Sequence, residues 1–371
     1  MTGLALLSLL IWVYLLGFHG RFWQAGPVLG ASRPNRLPAV AIVVPARDEA
    51  SVIEATLRSL LAQDYAGRLQ VCLVDDNSQD QTAVRARALL DPRLTVVDGA
   101  PRPAGWSGKL WAIRQGVDYT DSAELIFLTD ADIMHQPAHL SSLVAQLERA
   151  DLDMVSEMVA LACDSWAERL LVPAFVFFFQ LLYPFAWVND PMRSVAAAAG
   201  GSVLIRRSAL QRIGGIDSLK GALIDDVTLA RRVKQGGRIW LGHSVMARSV
   251  RPYPAVSDIW SMITRTAFVQ LRYSLGLLIL TTLAMAVVWL VPPFFGLFGH
   301  GVDFAAGALA WAMLTISYLP TLSRFGRSCA WAILLPLIAL FYMAATIGSA
   351  INYYAGRGVA WKGRAYKERV G

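Results

Sequence analysis

Four stretches of this chain carry no charged side chain, and they decide most of what it can fold into. Met1–Gly17, Tyr273–Val302, Phe304–Ser323 and Ser328–Gly356 contain no Asp, Glu, Lys or Arg. A helix needs about 20 apolar residues to cross a bilayer, so the last three windows predict membrane helices over 273–356 and the first a marginal span. Composition agrees, because 55% hydrophobic and 16% charged residues over 371 positions is too apolar for an ordinary soluble protein. The first window has neither a basic n-region nor a small-x-small site before Arg21-Phe22-Trp23, which favours an uncleaved anchor over residues 1–20 rather than a signal peptide. After the last window comes a basic tail, 357–371. Three C-terminal spans would put that tail opposite the polar part of the chain, whereas its positive charge favours the cytoplasmic side, so one window is a candidate for re-entry.

Residues 38–272 read differently. After a Pro/Gly-containing linker, Val40–Val44 is an apolar, β-branched run ending at Pro45, and a helical pattern follows at Ala50–Ala62. Strand readings at Leu69–Val74, Leu94–Val97 and Leu125–Thr129 alternate with helical ones at Thr82–Leu90 and Leu110–Val117. This alternation predicts an α/β domain with a mostly parallel sheet covered on both faces. Leu170–Asn189 is apolar and long enough to span, but a single crossing there would separate the acidic clusters on either side of it. Pro173 and Pro184 interrupt it, and its aromatics (Phe175, Phe177, Phe178, Phe179, Tyr183, Phe185, Trp187) suit the headgroup boundary. Interfacial in-plane helices near 166–189 are expected, with a buried core element as the alternative.

Polar residues collect where the predicted strands end. Asp130-Ala131-Asp132 follows Leu125–Thr129 and delivers two carboxylates to the carboxyl edge of the sheet, where open α/β sheets bind ligands. Residues two apart on extended backbone face the same way, so both can address one divalent cation or one phosphorylated ligand. The first strand runs into Pro45-Ala46-Arg47-Asp48-Glu49 and the second into Asp75-Asp76-Asn77-Ser78. Further along stand Trp106-Ser107-Gly108-Lys109, Leu223-Ile224-Asp225-Asp226 and Gln270-Leu271-Arg272-Tyr273. Singly, Asn77, Ser78 or Asp80 could be helix caps. Repetition at consecutive strand ends points to a site. Gly200-Gly201 suits either a ligand-facing turn or a plain tight turn. His243 stands alone, and nothing completes a histidine metal site around it. Between Arg206 and Arg272 twelve Lys/Arg face four Asp/Glu. That excess suits anionic headgroups and phosphate. Nucleic acid is not expected, since no binding module accompanies the charge.

In these clusters the chain resembles the inverting family-2 glycosyltransferases of the GT-A fold, a Rossmann-like architecture, over roughly Pro38–Tyr273. Its anchor, polar domain and C-terminal spans look like the ceramide glucosyltransferase group. Trp106-Ser107-Gly108-Lys109, Ile224-Asp225-Asp226 and Trp361-Lys362-Gly363-Arg364 are most similar to the hopanoid-biosynthesis-associated glycosyltransferases. The resemblance implies donor contacts from Pro45, Arg47, Glu49, Asp76 and Lys109, with Asp76 accepting from the base. It implies that Asp130 contacts ribose and metal, and that Asp132 ligates Mn2+ or Mg2+. Asp226 takes the place of the acidic base, where Glu-Asp is usual; Asp225 replaces that Glu and is the alternative base. Arg272 is the cation for the leaving group. The family's usual polar residue and Trp are here Val269 and Tyr273, which weakens a polymer-holding role.

The function expected from this is metal-dependent transfer of one sugar from a nucleotide-sugar, UDP-linked, to the hydroxyl of a membrane lipid such as a hopanoid. Cys72, Cys163 and Cys329 are odd in number and scattered, which predicts a reducing compartment for the polar part of the chain. Together with the apolar windows, the resemblance implies a multi-pass inner-membrane protein with its catalytic domain on the cytoplasmic side. The rivals are a processive polysaccharide synthase, for which the spans are too few, and a non-catalytic nucleotide-sugar or lipid scaffold, which has no need of Asp226.

Overall fold

The computed structural model describes residues 2–120, 122–222 and 224–356, together with the backbone of 359–361 and 364–366. The chain divides into two compact units that interleave along the sequence. One comprises Pro27–Ala162, Trp187–Arg251 and Trp361–Gly371; the other comprises Met1–Gly26, Cys163–Ala186 and Pro252–Ala360.

The first unit is built on an eight-stranded mixed sheet. Its strands are β1 (Val40–Ala46), β2 (Leu69–Asp75), β3 (Leu94–Asp98), β4 (Leu125–Thr129), β5 (Ile133–His135), β6 (Met154–Ala160), β7 (Ser202–Arg206) and β8 (Ile239–Ser249), in the order β3-β2-β1-β4-β7-β6-β8-β5. The run β3-β2-β1-β4 is parallel throughout. β7 pairs antiparallel with both β4 and β6, and β5 pairs antiparallel with β8. Every residue of β1 and β4 is buried. That is why those strands read as unbroken apolar runs rather than as alternating ones. The helix Gly108–Tyr119 lies over β1 and β2, and Gly116 is the closest point: a Cβ there would come 2.5 Å from Val43 Cγ1. On the sheet's core-bearing side, Leu57, Leu60, Leu140, Leu143 and Leu147 pack with Ile42, Val44, Leu73 and Phe127. The order reverses between β1 and β4, and the carboxyl ends of β1, β2 and β4 come out on one edge. The mostly parallel Rossmann-like sheet expected from the sequence is therefore present, with antiparallel strands added beyond β4.

The second unit is helical. Thr2–Phe18 is an apolar helix of 17 residues, short for a crossing, with Ala5, Ser8, Trp12 and Leu15 buried and its other faces exposed. Among the described residues, three helical stretches are long and apolar enough to cross a membrane: Leu275–Phe298, Gly301–Arg324 and Cys329–Tyr354. Within the first of these, Ala286–Leu290 is a π-helical turn. The carbonyls of Val287 and Val288 accept from Ser8 Oγ (2.8 Å) and Trp12 Nε1 (2.8 Å), and Trp12 meets Trp289 edge-on at 5.3 Å. The shifted bonding of a π turn frees carbonyls in this way.

The apolar stretch expected near 166–189 forms two helices, Trp166–Leu182 and Phe185–Asn189, and Pro173 is accommodated inside the first. The first is started by a capping box in which Ser165 and Glu168 exchange hydrogen bonds. Phe177, expected on a headgroup-level surface, is instead fully buried among Phe22, Phe178, Trp289 and Tyr318. Phe178 contacts Trp289 and Tyr342. Neighbouring helices supply the apolar surroundings of Phe177 and Phe178. The basic tail lies outside the described residues except for the backbone of Val359–Trp361 and Arg364–Tyr366, which pair as a two-stranded sheet.

Candidate active site

Two loops at the sheet's carboxyl edge are tied to each other. After β1, Asp48 takes the left-handed conformation (φ 50°), as does Asn77 after β2 (φ 54°). Short polar side chains tolerate that geometry because they bond to nearby backbone. The amide of Asp48 donates to Ser78 Oγ, that of Glu49 to Thr82 Oγ1, and that of Ala50 to Asp80 Oδ2. Gln79 N–H returns a bond to Asp48 Oδ1 (2.7 Å). Arg47, only 8% exposed, sends Nη1 to the carbonyls of Asp76 (2.5 Å) and Asn77 (3.1 Å) and lies 3.9 Å from Asp76 Oδ2. Arg47 thus shapes the loop that presents Asp76. Pro45 is a buried member of β1, beside Val74.

Lys109 enters from the first turn of the helix Gly108–Tyr119, whose start is capped by Ser107 Oγ accepting from the Leu110 amide (3.1 Å). Trp106 tucks in beneath that start against Trp111. Lys109 Nζ pairs with Asp130 Oδ1 at 2.6 Å. Burial works against the ammonium charge, but Asp130, Asp225 and Asp226 outweigh it and hold the group above the ordinary lysine range. Asp130 is itself shifted upward, by burial and by the nearby Asp132, with Lys109 opposing.

Asp225 and Asp226 open the helix Asp225–Lys234; Leu223, just before it, lies outside the described residues. Asp226 Oδ2 accepts from the Gly200 amide (3.0 Å) and Oδ1 from its neighbour's amide, Val227 N–H (2.8 Å). Burial first, then the adjacent Asp225 carboxylate, raises Asp226 to about 6, with Lys109 and the two amides pulling the other way. A Cβ placed on Gly200 would lie 3.3 Å from Lys109 Nζ and 3.5 Å from Asp226 Oδ2. The glycine turn therefore sits in the site, in contact with both charged groups, and its small size keeps them from being wedged apart.

The turn is anchored from below. Thr129 Oγ1, at the end of β4, donates to the Gly201 carbonyl (2.8 Å) and lies 3.0 Å from His135 Nε2. His135 Nδ1 is 2.9 Å from His139 Nδ1, and His139 Nε2 is 2.5 Å from Glu157 Oε2. All four side chains are buried, and burial together with His139 pushes His135 well below the usual histidine range. Sequence reading did not find this network, because its members are scattered over three strands and a helix and match no metal or triad spacing.

Asp132, 9% exposed, meets a partner the sequence reading counted among twelve basic residues without singling it out. Arg251, two residues beyond β8, donates through Nε to Asp132 Oδ2 (2.6 Å) and through Nη2 to Glu49 Oε1 (2.6 Å). The two carboxylates of Asp130-Ala131-Asp132 therefore each have a cationic partner of their own, Lys109 and Arg251. Among the described residues no cluster of three or more His, Cys, Asp or Glu side chains forms a metal cage. Two hard carboxylates on one turn do fit a cation of the Mn2+ or Mg2+ kind, which takes one or two carboxylates and fills its remaining positions with water and phosphate oxygens. His243 is a buried residue of β8 whose backbone bonds to Pro27 and Leu29. Arg272 belongs to the helical unit, at a left-handed turn (φ 52°) followed by Tyr273, which stacks on Tyr353 at 4.5 Å.

Residues 4–371 match glycosyl transferase family 21. The beta-monoglucosyldiacylglycerol synthase of Trichormus variabilis is 27% identical over 292 residues, 70% of this chain and 61% of that protein. The dodecaprenyl-phosphate galacturonate synthase of Rhizobium johnstonii is 28% identical over 131 residues, 35% of this chain and 38% of that protein. The chain thus spans 38% to 61% of the length of these curated relatives. A mannosyltransferase from Pyrobaculum calidifontis, solved in complex with GDP-Man and Mn2+, superposes with a TM-score of 0.59 at 21% identity, covering 96% of this chain and 99% of the other. At that identity the likeness establishes a shared fold.

Proposed function

The chain belongs to glycosyl transferase family 21, and from that premise we propose that it moves one sugar from a nucleotide-sugar, UDP-linked, to the hydroxyl of a membrane lipid, with inversion at the transferred carbon. The observation that carries the reading is the meeting of Lys109, Asp130 and Asp226 around the Gly200 turn at the sheet's ligand-binding edge. Relatives named for work on diacylglycerol and dodecaprenyl phosphate support a lipid acceptor, as do three helices apolar enough to cross a membrane. A hopanoid is the lipid to which the sequence resemblance points. The reading puts the protein in the inner membrane with its sheet unit facing the cytoplasm.

Asp226 is the base in this scheme. A carboxylate raised to about 6 is ionised at neutral pH yet basic enough to take the acceptor hydroxyl's proton as the oxygen attacks. Gly200 N–H and Val227 N–H hold its two oxygens and so fix the direction of its lone pairs. Asp76 accepts from the nucleobase, and the clasp formed by Arg47 keeps that loop in place. Lys109 offsets charge near the ribose or diphosphate, while Arg272 is the cation for the leaving group. A divalent cation held by Asp130 and Asp132 would supply positive charge to the departing nucleoside diphosphate.

The experiment is mass spectrometry of lipid products after purified protein is incubated with a membrane lipid extract and a panel of nucleotide-sugars. A glycolipid one sugar heavier than a lipid in the extract is expected. A ladder of masses would favour a polymerase, and products formed only from water-soluble sugars would remove the lipid acceptor.

A further inference from the structure

Arg251 holds Asp132 and Glu49 in one fork, with both hydrogen bonds at 2.6 Å and both carboxylates largely shielded from solvent. Charge-assisted bonds of that length are strong, and Arg251 fills one of the two oxygens that Asp132 could offer a cation. The turn is also locked from behind, since the Val250 amide donates to the Asp132 carbonyl (2.9 Å). Asp132 therefore does not wait as a bare ligand. We propose that Arg251 is an internal rival of the divalent cation for Asp132, and that the donor's diphosphate is what decides the exchange.

The chemistry of the exchange is simple. A cation arriving alone must break the Arg251–Asp132 bond, meets Asp130 already paired with Lys109, and is offered only two carboxylates. A diphosphate changes both sides of the contest, because its oxygens complete the cation's coordination and also accept from the guanidinium displaced from Asp132. Glu49 keeps hold of the other arm, so Arg251 turns without leaving the site. Cation and nucleotide then bind as mutually dependent partners, and by linkage each raises the affinity for the other by the same factor. This inference rests on the reading of Asp132 as a cation ligand.

The test measures Mn2+ binding by the electron paramagnetic resonance of free Mn2+ on full-length detergent-solubilised protein, with and without UDP, in wild type, Arg251→Gln and Arg251→Lys. Wild type should bind Mn2+ weakly alone and much more tightly with UDP. Arg251→Gln should bind Mn2+ alone about ten- to hundred-fold more tightly than wild type, the scale of one lost charge-assisted rival bond. Arg251→Lys, which keeps the charge but not the fork, should fall between and serves if the glutamine variant does not fold. Equal Mn2+ affinity in all three proteins overturns the proposal, as does a wild type indifferent to UDP. A wild type that fails to bind Mn2+ even with UDP would instead remove the cation-ligand assignment, and the proposal with it.

Discussion

If Asp226 is the base, its proton affinity should be tunable in both directions by its two charged neighbours, and the pH dependence of transfer should follow. The base must be ionised, so kcat/KM should fall below a pH set by its value of about 6. Lys109 Nζ and Asp226 Oδ2 both lie within 3.5 Å of the Cβ direction of Gly200, which places them less than about 7 Å apart. At an effective dielectric of about 20, one unit charge at that range is worth roughly 2.5 kcal/mol, or nearly two pH units; partial exposure of the cleft trims this to about one to two. Replacing Lys109 with Met removes a charge that favours the ionised form, so the acidic limb should climb from about 6 to roughly 7–8. Asp225→Asn removes a like charge, so the limb should drop below 6. Initial rates of nucleoside diphosphate release with lipid acceptor, from pH 5 to 9, resolve both shifts. Asp226→Asn should abolish the limb and lower the rate by about 10² to 10⁴. Limbs that stay in place in both neighbours' variants, or full activity in Asp226→Asn, would refute the reasoning. A greater loss in Asp225→Asn than in Asp226→Asn would make Asp225 the base.

Other outcomes follow from the same geometry. Gly200→Ala should cost about ten-fold or more in kcat with little change in melting temperature, since the new methyl meets Lys109 and Asp226 rather than the core. Asp132→Ala should abolish the Mn2+ dependence of UDP binding in calorimetry, whereas equal wild-type UDP affinity with and without Mn2+ would rule out a metal bridge. Arg47→Met should raise the donor KM more than it lowers kcat, because the loop carrying Asp76 loses two bonds from a buried guanidinium while the base is untouched. Phe177→Ser should lower thermal stability in detergent and reduce lipid transfer and nucleotide-sugar hydrolysis alike; a selective loss of lipid transfer would return Phe177 to the acceptor surface.

The candidate site was legible in the sequence where polar residues coincide with a strand end. Asp76, Asp130 and Asp132 close apolar runs that burial on both faces makes unmistakable, and the break in pattern marks the sheet edge. Arg251 was not legible. It follows an eleven-residue strand in a basic region, and only the antiparallel pairing of β8 with β5 brings it beside Asp132. The same limit hid Thr129, His135, His139 and Glu157, whose alignment depends on non-local register. The burial of Phe177 was hidden for a related reason: apolar side chains look alike whether lipid or other helices cover them, and periodicity cannot tell the two apart.

The π turn at Ala286–Leu290 bears on how the molecule is made. Ser8 bonds to a carbonyl 279 positions further along the chain, and Trp12 to the next one. At a synthesis rate of roughly 5–20 residues per second, the helix Thr2–Phe18 waits about 15–60 seconds after its own synthesis for those acceptors to exist. Its buried face, with a hydroxyl and an indole N–H that donate to those carbonyls, is thus presented early and satisfied late. A chain halted near residue 250 would carry a complete β8 while the helix Thr2–Phe18 still lacked the carbonyls it docks on.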